Sequence, residues 1–162
     1  MENKINYLDW NSIMEISNGI AKDIKKSYNP DIIISVVRGG MIPSVILSHI
    51  LDIRDIENIN VKETISDEIN SLKHEPIVDK NLNLNKIKGK KVLVVDDIIG
   101  SGATIRKIKE EIEKWEPDEI KTAVCVVNEE NWEKSNEDNY ESSIDYKGKC
   151  VRGWVVFPWE TR

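Results

Sequence analysis

Short apolar runs alternate with longer amphipathic segments along most of the chain. Runs rich in Val and Ile occur at 31–37, 91–97 and 120–127, and such runs are typical of strands buried on both faces of a sheet. Residues 56–63 are compatible with a further strand. Three segments beside these runs are predicted to be helices: 8–27, 41–53 and 103–115. Several of them repeat apolar residues at steps of three to five.

The alternation of strands and helices predicts the fold class. It is the pattern of a parallel α/β sheet, so we expect an α/β fold with a mostly parallel sheet flanked by helices. The length of 162 residues fits a single domain spanning 1–162. The stretch at about 64–89 is polar and has no clear period, so we expect a flexible flap there.

Charge and cysteine content narrow the choice of partners. The formal net charge is −6, which argues against an extended surface for nucleic acid or for an anionic membrane. No apolar run is long enough to span a bilayer. Cys125 and Cys150 form no CxxC pair, and Cys125 lies in an apolar run as a small hydrophobic residue would. We expect a cytoplasmic, reduced protein that binds neither nucleic acid nor a membrane.

A glycine-containing loop, GSGAT at 100–104, follows the second apolar run and begins a predicted helix. Gly100 and Gly102 let the backbone approach a ligand, and Ser101 and Thr104 can add hydroxyl donors. The first N–H groups of the helix and its positive dipole end favour a terminal phosphate monoester. The alternative is an ordinary strand-to-helix turn in which Ser101 is a cap.

Two acids, Asp96 and Asp97, come immediately before this loop. Carboxylates repel phosphate but accept hydrogen bonds from the vicinal hydroxyls of a sugar, and they also hold Mg²⁺. A ribose 5-phosphate is the simplest group that satisfies both the acids and the loop. The alternative is an acidic pair that only caps the turn.

A second compact anion site is predicted at Arg38-Gly39-Gly40, after the first apolar run, although such a sequence is more often a turn. Because the carboxyl ends of parallel strands share one edge, both loops should lie side by side. In the aromatic stretch WVVFPWE, Phe157 and Trp159 are expected in the core, whereas Trp154 could stack on a flat heterocycle.

The two histidines are given lesser roles. His49 lies in a predicted helix and is interpreted as structural, and His74 lies in the polar stretch of the predicted flap. Either could reach a bound phosphate, but a solvated loop is the simpler interpretation for His74.

With these segments in place, the sequence resembles the type I phosphoribosyltransferases. VLVVDDIIGSGAT is similar to their phosphoribosyl-pyrophosphate motif, and VVRGGMIP is similar to their pyrophosphate loop. The stretch WVVFPWE is similar to that of the short xanthine–guanine and hypoxanthine phosphoribosyltransferases. The resemblance implies their fold, with a small C-terminal hood at about 140–160, and a homo-oligomer.

The resemblance also implies a reaction and a set of site residues. Ribose 5-phosphate would be transferred from phosphoribosyl pyrophosphate to a 6-oxopurine (hypoxanthine, guanine or xanthine) with release of pyrophosphate, in purine salvage. Asp96 and Asp97 would be catalytic, with Asp97 contacting Mg²⁺. The base would contact Gly100, Trp154 and the backbone of Val155. The implied phosphoribosyl-pyrophosphate-binding residues are Arg38, Gly39, Asp96, Asp97, Gly100, Ser101, Gly102, Ala103 and Thr104.

The sequence departs from the family pattern on the base side. Gly100 stands where many 6-oxopurine enzymes have an acid, and Asn128 stands where they often have a lysine. These departures leave another base open, such as adenine, a pyrimidine or a modified purine. A non-catalytic sensor of phosphoribosyl pyrophosphate is the alternative from a different functional class.

Overall fold

The computed structural model describes residues 4–63, 76–79, 83–134 and 142–160. Eight strands and four α-helices occur in this part of the chain. The strands are β1 Ile5–Tyr7, β2 Ile32–Val37, β3 Ile56–Glu63, β4 Pro76–Val78, β5 Lys91–Ile99, β6 Glu119–Asn128, β7 Tyr146–Val151 and β8 Trp154–Val156. The helices are α1 Trp10–Ser27, α2 Met41–Leu51, α3 Ala103–Glu113 and α4 Glu129–Lys134.

A six-stranded sheet with the order β4-β3-β2-β5-β6-β7 forms the centre of the protein. All of its strand pairs are parallel except β3 with β4, which is antiparallel. The three apolar runs became the interior strands β2, β5 and β6. This confirms the prediction of a mostly parallel sheet flanked by helices. These strands are covered on both faces, which explains why their sequences are continuous apolar runs.

Helices cover each face of the sheet and form a separate hydrophobic layer there. On β5, Leu93 and Val95 belong to the layer under α1 and α2, whereas Val92 and Val94 belong to the layer under α3. Such alternation follows from the two-residue repeat of a strand. Each fully buried aliphatic side chain contributes about 1.5–3 kcal/mol, so these layers fix the position of the β5 end.

The predicted helices and strands lie close to where the sequence placed them, and α1 shows the reason. Its stripe of isoleucines is buried, with Ile13 and Ile24 fully inaccessible. Asp9 caps its first turn, since the Ser12 N–H donates to Asp9 Oδ1 at 2.7 Å. The amphipathic period and the cap therefore define this helix from local sequence alone.

Part of the stretch at 64–89 has regular secondary structure. β4 lies within it and pairs with β3, and residues 85–87 form a 3-10 helix with Leu84 and Ile87 buried beside it. These apolar residues are too few and too irregularly spaced to give a periodic signal. Residues 64–75, with His74, and 80–82 lie outside the described residues, so the flap stays a prediction there.

A second, two-stranded sheet joins distant parts of the sequence. β1 pairs in parallel with β8, and the Trp154 N–H donates to the Lys4 carbonyl at 2.8 Å. Gly153 has φ of 92°, and a Cβ at this position would overlap the Lys4 carbonyl. Within the predicted hood segment, β7 forms an edge of the main sheet and β8 belongs to the small sheet. A hood at about 140–160 stays a prediction.

The helices give no sign of a membrane span. Among the described residues, no helix has both the length and the hydropathy required to cross a bilayer.

Candidate active site

A cavity of about 880 Å³ opens at the carboxyl ends of β2, β5 and β6. It is the place where ligands bind in open parallel sheets. The predicted site residues that line it are Gly39, Asp96, Asp97, Gly100, Ser101, Gly102, Ala103, Thr104, Trp154 and Val155. Arg38 is the exception, because its side chain is exposed and lies outside the wall that the described residues form.

The carboxylates of Asp96 and Asp97 lie at the last part of β5, which extends through Ile99. Asp96 is 8% exposed. The Asp97 N–H donates to Asp96 Oδ1 at 2.9 Å, and the Ile98 N–H donates to Asp97 Oδ1 at 2.8 Å. Both carboxylates therefore accept a hydrogen bond from the backbone of their own strand.

Burial governs the acidity of this pair. Burial raises the pKa of Asp96 well above its usual range, and repulsion from Asp97 adds to that increase. Burial also raises the pKa of Asp97, while the hydrogen bond from the Ile98 N–H opposes it. Two negative charges are thus unfavourable here, and a ligand that brings hydroxyl donors or positive charge is favoured.

Gly39 brings the loop after β2 directly against this pair. A Cβ at Gly39 would overlap the Asp97 carboxylate, and a Cβ at Gly40 would overlap the carbonyls of Val36 and Val95. The two loops therefore lie side by side, as expected for neighbouring strands. The peptide bond between Val37 and Arg38 is cis. His49, by contrast, is exposed on α2 and does not line the cavity.

The loop 100–104 leads into α3 without a side-chain cap on the helix. Gly102 has φ of 78°, a left-handed conformation that favours glycine. The Ala103 N–H donates to Ser101 Oγ at 3.4 Å, which is a long contact, so Ser101 does not cap the helix tightly. The positive end of α3 therefore faces the cavity and suits an anion.

The opposite wall is aromatic. Trp154 is 55% exposed, whereas Phe157 is buried and stacks on Trp159 with 4.7 Å between ring centroids. The Phe157 N–H donates to Glu160 Oε2 at 3.1 Å, which places a third carboxylate in the cavity wall. As predicted, Phe157 lies in the core and Trp159 packs against it. A stacking role for Trp154 stays a prediction.

Four polar or charged residues of the cavity wall lie outside the predicted set of site residues: Arg106, Asn128, Asn131 and Glu160. Of these, the sequence singled out Asn128 alone, as a departure from the family pattern. Asn128 Nδ2 donates to the Gly153 carbonyl at 2.9 Å, and the Asn131 N–H donates to Asn128 Oδ1 at 3.2 Å. Asn131 lies on α4 and covers Gly100, since a Cβ at Gly100 would be 3.3 Å from Asn131 Cβ. The polar composition of 128–148 concealed the positions of Asn128 and Asn131.

Comparison with known proteins decides the family. The sequence model described as "Phosphoribosyl transferase domain" matches residues 5–162. The chain belongs to the phosphoribosyltransferase family. It is therefore a pentosyltransferase.

Two curated relatives span most of the chain. Xanthine phosphoribosyltransferase 1 of Saccharomyces cerevisiae is 25% identical and is matched over 98% of this chain and 91% of its own. The xanthine-guanine phosphoribosyltransferase of Gluconobacter oxydans is 28% identical, over 94% of this chain and 82% of its own.

A solved structure agrees with this assignment. The purine phosphoribosyltransferase of Pyrococcus horikoshii superposes with a TM-score of 0.79 and is 32% identical, over 98% of this phosphoribosyltransferase and 95% of that chain. The type I phosphoribosyltransferase fold predicted from the sequence is confirmed.

Proposed function

We propose that this phosphoribosyltransferase transfers ribose 5-phosphate from phosphoribosyl pyrophosphate to a 6-oxopurine in purine salvage. The acceptor would be hypoxanthine, guanine or xanthine. One observation carries the proposal: a single cavity contains a carboxylate pair, a glycine loop at a helix N-terminus and an accessible indole. The names of the relatives, which act on xanthine, guanine or purines, support the choice of acceptor.

The sugar end of the substrate fits between the strand end and the loop. The backbone N–H groups of 100–104 hold the 5-phosphate, and Asp96 and Asp97 accept hydrogen bonds from the ribose hydroxyls. Asp97 lies against Gly39, so the pyrophosphate bound at the Gly39 backbone would be close to the same carboxylate. Arg38 is next to Gly39 in the chain and is assigned to the pyrophosphate as well.

The acidic pair also fits a magnesium ion. The described residues contain no group of three or more His, Cys, Asp or Glu side chains that could hold a metal. Mg²⁺ commonly takes one or two carboxylates together with water and substrate phosphate oxygens, and Asp97, with Asp96, offers this partial set. Bound there, the ion would neutralise charge on the departing pyrophosphate.

The chemistry of the transfer follows from this arrangement. The bond between C1 of the ribose and the pyrophosphate oxygen breaks, and its electron pair leaves with pyrophosphate. A ring nitrogen of the base forms the new bond to C1, and the proton of that nitrogen passes to solvent water. Positive charge develops on the sugar as the bond breaks, and the nearby carboxylates of Asp96 and Asp97 stabilise it.

The base is placed on the aromatic wall. Trp154 stacks on the heterocycle, the Val155 backbone contacts its edge, and Gly100 lies at the opposite edge. Asn128 already bonds Gly153 and Asn131, so its amide is engaged within the wall. Because the Asn128 amide already has these partners, a second candidate that carries out the same reaction is favoured: a phosphoribosyltransferase for adenine, a pyrimidine or a modified purine.

The test is pyrophosphate release. Protein, Mg²⁺ and phosphoribosyl pyrophosphate are incubated with hypoxanthine, guanine, xanthine, adenine, uracil and orotate in turn. Release with an oxopurine supports the proposal and identifies the base, and release only with another base supports the second candidate. Binding of phosphoribosyl pyrophosphate without release with any base would instead favour a sensor. Light scattering on the same sample tests the proposed homo-oligomer.

A further inference from the structure

The side-chain amide of Asn131 lies beside Gly100 in the cavity wall. Asn131 belongs to α4, its side chain is exposed, and it lines the cavity. A Cβ added at Gly100 would lie 3.4 Å from Asn131 Nδ2 and 3.8 Å from Asn131 Cγ. Because Gly100 has no side chain, this amide covers the place that a side chain at position 100 would otherwise fill.

Asn131 is held in this place through its backbone. The Asn131 N–H donates to Asn128 Oδ1 at 3.2 Å, and Asn128 Nδ2 donates to the Gly153 carbonyl at 2.9 Å. Within the described part of the chain, the side-chain amide of Asn131 makes no hydrogen bond. Asn128 therefore uses its amide to hold the wall, whereas Asn131 keeps a donor and an acceptor for a ligand.

The position of Asn131 is next to the sugar end of the cavity. Gly100 comes three residues after Asp97, which is proposed to bind the ribose, so the part of a base beside Gly100 is close to the ring nitrogen that attacks C1. An asparagine amide pairs through one donated and one accepted hydrogen bond with the purine edge formed by N7 and the substituent at C6. Of the two purine edges next to N9, this is the one that offers such a pair.

The transfer itself determines which groups an oxopurine presents on that edge. N9 can attack C1 only when it is free of its proton, and this is so when the proton has passed through solvent water from N9 to N7. The edge then carries the N7–H donor and the O6 acceptor. Once the bond between N9 and C1 has formed, the N7 proton returns to water, so one proton is released in each transfer.

We propose that Asn131 is a specificity-determining residue that binds the N7 and O6 edge of a 6-oxopurine. Asn131 Oδ1 accepts from N7–H, and Asn131 Nδ2 donates to O6. A 6-aminopurine with a proton on N7 presents two donors on this edge, so one of them would face the amide nitrogen without a partner. The inference rests on the proposed function and, if correct, favours an oxopurine over adenine as the acceptor.

The test compares two base analogues by calorimetry in the presence of ribose 5-phosphate, Mg²⁺ and pyrophosphate. The analogues are 9-deazahypoxanthine and 9-deazaadenine. Carbon replaces N9 in both, so each keeps a hydrogen on N7 and neither can be transferred. Asn131→Leu removes both polar groups at nearly constant size, and Asn131→Asp replaces the amide with two acceptors. The matched control is Glu133→Gln, because Glu133 is an exposed residue of α4 that pairs with Arg152 and does not line the cavity.

We expect Asn131→Leu to lower the preference for 9-deazahypoxanthine over 9-deazaadenine by about 5- to 100-fold. Asn131→Asp should lower it further, because a carboxylate accepts from both donors of 9-deazaadenine. Glu133→Gln should leave the preference as it is in the unaltered protein. The proposal is overturned by an unchanged preference in Asn131→Leu, by an equal loss of both analogues, or by the same change in Glu133→Gln. Asn131→Asp, which keeps the shape of the side chain, decides the question if the leucine variant does not fold.

The binding test and the pyrophosphate-release test fail independently. If no base supports release but the preference falls in Asn131→Leu, the proposed reaction is wrong and the Asn131 assignment stands. If an oxopurine supports release and the preference is the same in Asn131→Leu and the unaltered protein, the reaction stands and the assignment is wrong.

Discussion

The two walls of the cavity are built in different ways. The wall at β5 and the loop 100–104 is made of backbone and of carboxylates fixed by backbone, and β5 is paired on both sides within the main sheet. The wall at β8 and α4 is made of side chains on short elements. It is held by separate links, such as the bonds from the Trp154 N–H to Lys4 and from Asn128 to Gly153.

Because of this contrast, we expect the two walls to have different functions. The first wall would handle the sugar and its phosphates, which are common to every phosphoribosyl transfer, and it cannot change without disturbing the core. The second would select the base, and its side chains can be replaced without moving a central strand. Substitutions in the first wall should therefore impair the reaction with every base, whereas substitutions in the second should act mainly on base affinity.

The largest effect is expected at Asp97. Asp97→Asn removes the charge that would stabilise the developing positive sugar, so kcat should fall by about 100- to 1000-fold with every base. Steady-state rates of pyrophosphate release measure this. Nearly full activity in Asp97→Asn would show that the first wall does not act through this carboxylate.

Asp97→Asn should maintain or increase the stability of the protein, although it lowers the activity. Because the pKa of Asp97 is raised in the folded state, its contribution to stability is present at low pH and is lost as the pH rises through the folded-state pKa. At neutral pH the variant should melt at the same temperature or higher. Its melting temperature should also depend less on pH between about 4 and 7 than that of the unaltered protein, as thermal scans at several pH values will show.

Gly39→Ala should give the next largest effect, because the added methyl group would overlap the Asp97 carboxylate. We expect a cost of about 1–3 kcal/mol in unfolding free energy and at least a tenfold drop in kcat/KM for phosphoribosyl pyrophosphate. Gly19→Ala is the matched control. Gly19 is exposed within α1 with no neighbouring atom near its Cβ position, so alanine there should stabilise by about 0.5–1 kcal/mol.

Trp154→Ala should affect the second wall alone. Loss of stacking should raise KM for the base by about 5- to 100-fold while KM for phosphoribosyl pyrophosphate stays the same. Tyr7→Ala serves for comparison, since Tyr7 is a more exposed aromatic residue of the same small sheet and does not line the cavity. Equal effects on both substrates would contradict the separation of the two walls.

Asn128→Ala should have the smallest effect. Asn128→Ala removes the bond to the Gly153 carbonyl and the bond from the Asn131 N–H. The first of these positions the turn before Trp154, and its loss corresponds to about a 2- to 10-fold loss of base affinity. Arg152→Gln breaks an exposed ion pair with Glu133 in the same region and should change base affinity little. A larger loss in Arg152→Gln than in Asn128→Ala would mean that the ion pair holds this wall.

The sequence predicts the first wall far better than the second. The strand before Asp96 is a continuous apolar run, and its position in a parallel sheet follows from burial on both faces. The order of the strands in the sheet then determines which loops lie next to each other. The contact of Asn131 with Gly100 depends on where α4 is placed after folding, and a polar residue on a helix gives no local sign of what it faces.

The small sheet was not predicted for a related reason. β1 and β8 are three residues each, which is too short for an alternating pattern, and each is stabilised only by a partner from a remote part of the chain. The same holds for β4, whose pairing with β3 no local spacing indicates.

The pairing of β1 with β8 also sets an order of events during synthesis. β1 leaves the ribosome before β8 and remains without its partner until residues 154–156 have been translated. By then β2, β5 and α3 are already available to assemble, because their neighbours precede β8 in the chain. The nascent protein should therefore acquire its phosphate-facing wall first, and the indole surface for the base should be the last part of the cavity to form.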